Sequence, residues 1–312
     1  MGEVLHAIAV FFEHLADVKF TALALAIVAH LLKTMCTSRA WRNTIAASYP
    51  EEPVPWRQVY AAYLAGVGVN AIIPARAGDA VRLYLVHRAV PSSTYTTLVS
   101  TLLVLSFFDT GMALLIFAYA LTLGVLPAVG SLGKLPGFDF GFFAANPEFS
   151  FVLFVALVIF GVIGFLWLRL HFAEFKQRVR QGLAVMADKT RYLREVALWQ
   201  AGDWTLRFVA IWFFLDAFGI EQSIRNVLLV QVTQSLATLV PISPGGIGTE
   251  QAFIVYVFNG TGIGRATLLA FSVGMKLTLI TTNVILGFTA LFLTLGHVDW
   301  RSIAGKRTAA EP

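Results

Sequence analysis

The chain has 312 residues, is 57% hydrophobic with a mean hydropathy of +0.74, and carries only 13% charged residues. Soluble domains hold about 25% charged residues, so a soluble globular protein is excluded. The net charge of +5 gathers in a few loops, as the positive-inside rule expects, and not in the aromatic-basic stretches that hold nucleic acid.

The single cysteine, Cys36, excludes an internal disulfide or a cysteine metal cluster. Residues 1–17 contain Glu3, Glu13 and Asp17 but no Lys or Arg. A cleaved signal peptide needs a basic start, so this segment reads as an interfacial or periplasm-side helix. Residues 19–37 form the first predicted span, and Arg39 and Arg42 after it place its end in the cytoplasm. Residues 59–73 are apolar but short, cut by Asn70 and Pro74, with basic residues at both ends (Arg57, then Arg76, Arg82 and Arg88). A full crossing would put one basic cluster outside; a hairpin that enters and leaves on the cytoplasmic side does not. Irregular backbone at that depth is permitted where it faces protein or a water-filled cavity.

Residues 98–126 are a clear span, 127–147 an outside loop rich in Gly and Pro, and 149–168 a return crossing. The stretch 169–194 carries Arg169, Lys176, Arg178, Arg180, Lys189, Arg191 and Arg194. Its apolar residues recur every three or four positions, which predicts an amphipathic helix on the cytoplasmic membrane surface. Residues 199–218 cross outward. Residues 227–240 are broken at Pro241, Pro244, Gly245, Gly246 and Gly248, residues 253–258 return, and 266–295 form the last span before a basic tail.

The two broken segments match. Aligning Pro74 with Pro241 sets Arg76 on Ser243 and Gly78 on Gly245. Each break follows a span and precedes a long one. The chain divides into an interfacial segment (1–17), a first membrane repeat (18–126), a linking region (127–196), a second repeat (197–296) and a cytoplasmic tail (297–312). Counting crossings from the charges gives the repeats opposite orientations. Inverted repeats with broken helices at matching places are the mark of transporters, with the binding site between them near the midplane.

The pattern Asn70-x-x-x-Pro74-x-Arg76-x-Gly78-Asp79-x-x-Arg82, followed by Pro241-x-x-Pro244-Gly245-Gly246-x-Gly248-x-Glu250, resembles the transmembrane region of lysylphosphatidylglycerol synthases and its stand-alone flippase-like relatives. The resemblance covers roughly residues 18–296. The family usually has Glu after the first glycine, where Asp79 keeps the charge. It often has an Arg/Asp pair in the following span, where Asp109 stands without the Arg, and a basic residue in the last span, a place Lys276 fills. The resemblance implies an all-α polytopic protein of a bacterial cytoplasmic membrane that moves lipid between leaflets. Reported relatives are linked to aminoacylated phospholipids, hopanoids and polyprenyl-linked sugars. The chain ends soon after the last span, so the soluble aminoacyl-transferase domain is not expected, nor is synthesis of the lysyl lipid.

Each singled-out residue carries two readings. Arg76 and Arg82 either grip a lipid phosphate bidentately or are ordinary positive-inside residues. Asp79 pairs with one of them or caps a helix. Gly245, Gly246 and Gly248, with Ser243 or Thr249 as a cap, either offer a helix N-terminus to an anion or form a simple turn. Glu250 carries a proton or binds a cationic group, or else it pairs with Arg76 or Lys276 or is a first-turn acid favoured by the helix dipole. Asp109 and Lys276 are intramembrane charges, functional by default, or a mutual pair; with Glu250 they make a candidate charge relay. Asp203 and Arg207, four apart, pair with each other. His30, His87, His171 and His297 do not cluster, so no metal follows. Trp56, Trp199, Trp204 and Trp300 read as interface anchors.

The expected activity is lipid translocation, with Asn70, Arg76, Asp79, Arg82, Ser243, Gly245, Gly246, Gly248 and Glu250 as the substrate site. No catalytic residue, metal or cofactor is expected. The partners are membrane lipids, with lipid-biosynthesis proteins and a homo-oligomer left open. Two alternatives stand beside it. One is a membrane enzyme acting on a lipid phosphate or pyrophosphate, for which Ser243 is present but no His lies in either motif. The other is a non-transporting scaffold that docks proteins on the basic stretch.

Overall fold

The computed structural model describes residues 18–73, 76–122, 155, 158, 172–239 and 248–295, and all the regular structure among them is helical. In chain order the helices are α1 (Phe20–Ser48), α2 (Trp56–Ile72), α3 (Ala77–Ala89), α4 (Tyr95–Thr122), α5 (Phe172–Gly182), α6 (Lys189–Tyr192), α7 (Leu198–Ala217), α8 (Ile224–Leu239), α9 (Thr249–Val257) and α10 (Arg265–Leu295). The chain is thus an all-α, polytopic membrane protein. Helices α1, α4 and α10 are long and apolar enough to cross a bilayer. Their outer faces stay apolar: Phe107, Leu114 and Leu115 on α4 and Phe288, Phe292 and Leu293 on α10 are exposed. Water would oppose such a surface and hydrocarbon accepts it.

Helix α7 carries Gln200, Asp203 and Arg207 among its apolar residues, and Gln200 and Asp203 are buried. It runs antiparallel to α1. At one end the Lys19 amide donates to the Ala217 carbonyl (3.0 Å) and the Lys19 ammonium to Asp216 (2.8 Å). At the other, Asn43 donates to the Glu195 carbonyl (2.7 Å). Buried Ala22, Ala26 and Ala29 recur along α1 at helical spacing, and small residues let helices approach closely.

Two helical hairpins flank this pair. Helix α3 folds back on α2 so tightly that a Cβ built on Gly78 would lie 1.9 Å from the Gly66 carbonyl oxygen. Both open ends of the hairpin sit at the C-terminal end of α1. Arg42 donates to the Val54 carbonyl (2.8 Å) and Trp56 to Ser38 (3.1 Å), while the Thr94 amide donates to the Tyr49 hydroxyl (3.0 Å). Helix α8 packs on α9 and opens at the other end of the pair. There the α7 terminus packs Phe218 edge-on against Phe271 of α10 (5.9 Å between ring centres). Helix α10 serves both hairpins. Its first half holds α9 through Ser272 and Lys276. In its second half the backbone meets α2, where a Cβ on Gly68 would lie 2.7 Å from Gly287 Cα.

Three expectations change. Helix α1 runs past Thr37 to Ser48, because its polar second half is buried and satisfied: Thr44 donates to the Ala40 carbonyl, Ser48 to Thr44, and Asn43 crosses to Glu195. The basic stretch is not one surface helix. Gly182 presses on α4, where a Cβ would meet Ser100 Cβ at 2.4 Å. The chain leaves α5 through a 3₁₀ turn (Ala184–Ala187) and restarts at α6, where Asp188 accepts the Arg191 amide (3.0 Å). Finally, α9 begins at Thr249, before the expected residue 253. The interfacial segment 1–17, the loop 127–147, the tail, and all but residues 155 and 158 of the return crossing lie outside the described residues.

Candidate functional site

The first hairpin ends in a polar knot. The Gly78 amide donates to Asn70 Oδ1 (2.7 Å), and Asn70 Nδ2 donates to Asp79 Oδ1 (3.0 Å). Arg82 pairs with the same carboxylate oxygen (3.2 Å) and lies over the Trp41 ring of α1 (5.4 Å). Asp79 therefore pairs with Arg82 inside the first turn of α3 and does not cap it; the N-cap is Arg76. Arg76 is exposed and left-handed, with φ at 59°. That conformation suits glycine, so a long basic side chain stands there against local preference. Pro74, the expected break, lies outside the described residues.

A second group of charges sits mid-bundle on the facing sides of α1 and α7. Asp203 accepts a hydrogen bond from the Thr37 hydroxyl, pairs with Arg207 (3.1 Å) and lies 3.8 Å from the Lys33 ammonium. Its side chain is 3% exposed. Arg207 lies over the Trp204 ring (4.3 Å), and Trp204 donates to Asp109 of α4 (2.9 Å). Close by, His30 shares a hydrogen bond with Asn283 of α10 (2.9 Å). A cavity of about 160 Å³ opens among His30, Lys33, Arg207, Gln234 and Met275, so α1, α7, α8 and α10 all reach it.

The family described as lysylphosphatidylglycerol synthase TM region matches residues 6–287, nearly the whole chain. The chain belongs to this family. No curated protein and no solved structure matches it. As a lysylphosphatidylglycerol synthase TM region it is a membrane protein that handles lipid.

In this family member the second hairpin is also held by buried polar contacts. Glu250 is buried and accepts from Lys276 (2.8 Å), and Gln251 donates to Ser272 (3.1 Å). The N-cap of α9 is Gly248, with φ at 90°, and its amide donates to the Gln251 side chain (2.6 Å). Thr249 is the first residue of the helix and does not cap it. Ser243, Gly245 and Gly246 lie outside the described residues.

The structure draws Asn70, Asp79 and Arg82 into one knot and Glu250 to Lys276. It gives Asp109 to Trp204, apart from the Glu250–Lys276 pair. Trp204 is no interface anchor. It is buried at mid-bundle because its N–H has a carboxylate to meet. Trp56 and Trp199 do lie at helix starts, bracketing Arg39 (5.7 and 6.0 Å); Trp300 is outside the described residues. The sequence reading overlooked Lys33, and it weighed His30 only as a metal ligand. The signal was there: a lone lysine inside an apolar span, the same criterion that singled out Asp109 and Lys276. Trp204→Phe is expected to lose about 1–3 kcal/mol, because it leaves the Asp109 carboxylate without its donor. Denaturation in mixed micelles checks this.

Proposed function

We propose that this chain moves lipid between the leaflets as a carrier, not an enzyme, passing a phosphate-bearing head group through the bundle while the acyl chains stay in hydrocarbon. The observation that carries the reading is the pair of hairpins opening at opposite ends of α1 and α7, with a cavity among α1, α7, α8 and α10 whose wall carries His30, Lys33, Arg207 and Gln234. In a membrane this arrangement reads as two re-entrant hairpins in an inverted repeat of residues 18–126 and 197–296. Such architectures expose a midplane site alternately to the two sides. Arg39, Arg42, Arg57 and Arg88, together with the α5 cations Lys176, Arg178 and Arg180, gather at the end where the first hairpin opens. That end is therefore the cytoplasmic one, and α10 delivers the C-terminus there. A bacterial cytoplasmic membrane fits the charge pattern.

In this reading Arg76, at the tip of the first hairpin, meets the phosphate, and Asn70, Asp79 and Arg82 hold that tip in shape. Gly248 and Glu250 present the second hairpin to the same path, with Lys276 holding the Glu250 carboxylate. Arg76→Gly separates side chain from backbone. A non-glycine residue in the left-handed region costs roughly 1 kcal/mol or more, so this variant is expected to be at least as stable as wild type. Its transbilayer movement of head-labelled phosphatidylglycerol in vesicles is expected to fall severalfold. Undiminished movement would remove Arg76 from the site.

A further inference from the structure

The mid-bundle charges show a mismatch between donors and acceptors. Lys33 and Arg207 share one carboxylate, Asp203, as their ion-pair partner, while the neighbouring Asp109 is held by Trp204. Asp203 is committed: it accepts from Thr37 and from Arg207 Nη2. At 3.8 Å, Lys33 is in ionic contact with it but beyond hydrogen-bonding reach, and the ammonium donates no hydrogen bond to any described residue. Arg207 Nε is buried and likewise has no partner among the described residues. Ammonium and guanidinium donors within a hydrophobic bundle are costly to leave without acceptors, and both cations line the same cavity. Gln234 and His30 add polar groups to its wall, while Met275, Phe214 and Leu279 close it with apolar surface.

Resting on the translocation reading, we propose that Lys33 and Arg207 form the head-group site at the bilayer centre, and that it takes a singly anionic phosphodiester. Asp203 is the resident counter-ion. It pairs with both cations when no lipid is present, and a phosphodiester adds the acceptors that it does not supply. The Trp204 ring beneath Arg207 fixes the guanidinium plane, so that its free edge is presented as a fork, a geometry suited to phosphate oxygens. A volume of about 160 Å³ admits a phosphate group but not a bulky glycan. The site therefore favours phospholipids with small anionic head groups over neutral lipids and large polyprenyl-linked sugars.

The test measures binding apart from transport. Short-chain phosphatidylglycerol, phosphatidylcholine, diacylglycerol and inorganic phosphate are titrated into purified full-length protein, with thermal stabilisation as the readout. Wild type is expected to be stabilised by phosphatidylglycerol, more weakly by phosphatidylcholine, and not by diacylglycerol. A response to inorganic phosphate alone would assign the site to a free anion and overturn the lipid reading. Lys33→Met leaves Asp203 paired with Arg207, so its fold is preserved. It is expected to weaken phosphatidylglycerol binding about tenfold or more, the loss of one charge-assisted hydrogen bond. Arg207→Lys keeps the charge but loses the fork, and is expected to weaken binding by a similar factor. Asp203→Asn removes the competitor and is expected to tighten it. Unchanged phosphatidylglycerol affinity in Lys33→Met and Arg207→Lys would overturn the assignment, even if wild type moves lipid in vesicles. Conversely, charge-selective binding lost in both variants, by a wild type that moves no lipid, would uphold the site and overturn the transport reading.

Discussion

Asp203→Ala is expected to cost about 3–5 kcal/mol of stability, the range for removing one partner of a buried ionic group. Asp203 is nearly inaccessible and is the ion-pair partner of both Lys33 and Arg207. Its loss leaves two cations without their carboxylate between α1 and α7. The remedy follows from the same physics. Replacing all three charges with apolar residues of similar size is expected to restore most of the stability, because the desolvation of the charges then disappears with their attraction. Denaturation in mixed micelles distinguishes the two. A loss below about 1 kcal/mol for Asp203→Ala would show the charges to be solvated, as at exposed pairs. Added phosphatidylglycerol is expected to recover more stability in Asp203→Ala than in wild type, since the phosphodiester replaces the missing carboxylate.

Gly78→Ala is expected to be the most damaging small substitution, at about 1–3 kcal/mol or more. The new methyl would lie 1.9 Å from the Gly66 carbonyl oxygen and 2.8 Å from Asn70 Oδ1. Both neighbours belong to α2, and the first is backbone, so no side-chain rotation relieves the contact; α3 must move off α2. That movement breaks the Gly78–Asn70 hydrogen bond and loosens Arg82 over Trp41. Gly111→Ala is the control. It sits within α4 with nothing within 4 Å of the added Cβ, and it is expected to be neutral or to gain up to about 1 kcal/mol from helix propensity. Unfolding midpoints in detergent compare the two. Equal midpoints would mean that the tight α2–α3 approach does not hold in the membrane protein.

Much of the fold was legible because the bilayer simplifies the code. Long apolar runs became α1, α4 and α10, and the Asn70-to-Arg82 motif became a helical hairpin whose Asp79–Arg82 pair the sequence had offered as one of two readings. The Asp203–Arg207 pair followed from helical spacing alone. What escaped the sequence depends on three-dimensional neighbours. Lys33 and Asp203 are far apart in the chain, and only the antiparallel packing of α1 on α7 joins them. Trp204 resembled an interface residue because it lies near the start of a span, but its position is set by Asp109 on α4. Helix α5 ends at Gly182, which packs closely on α4, a contact that periodicity cannot reveal.

The most direct measurement is of lipid movement itself. Purified protein is reconstituted into vesicles carrying head-labelled phosphatidylglycerol in both leaflets, and a membrane-impermeant quencher is added outside. If the opposed hairpins pass a head group across the bilayer, the signal is expected to fall well past the outer-leaflet half, and to fall less far with Lys33→Met. Quenching that stops at the outer half, as in protein-free vesicles, would contradict the account.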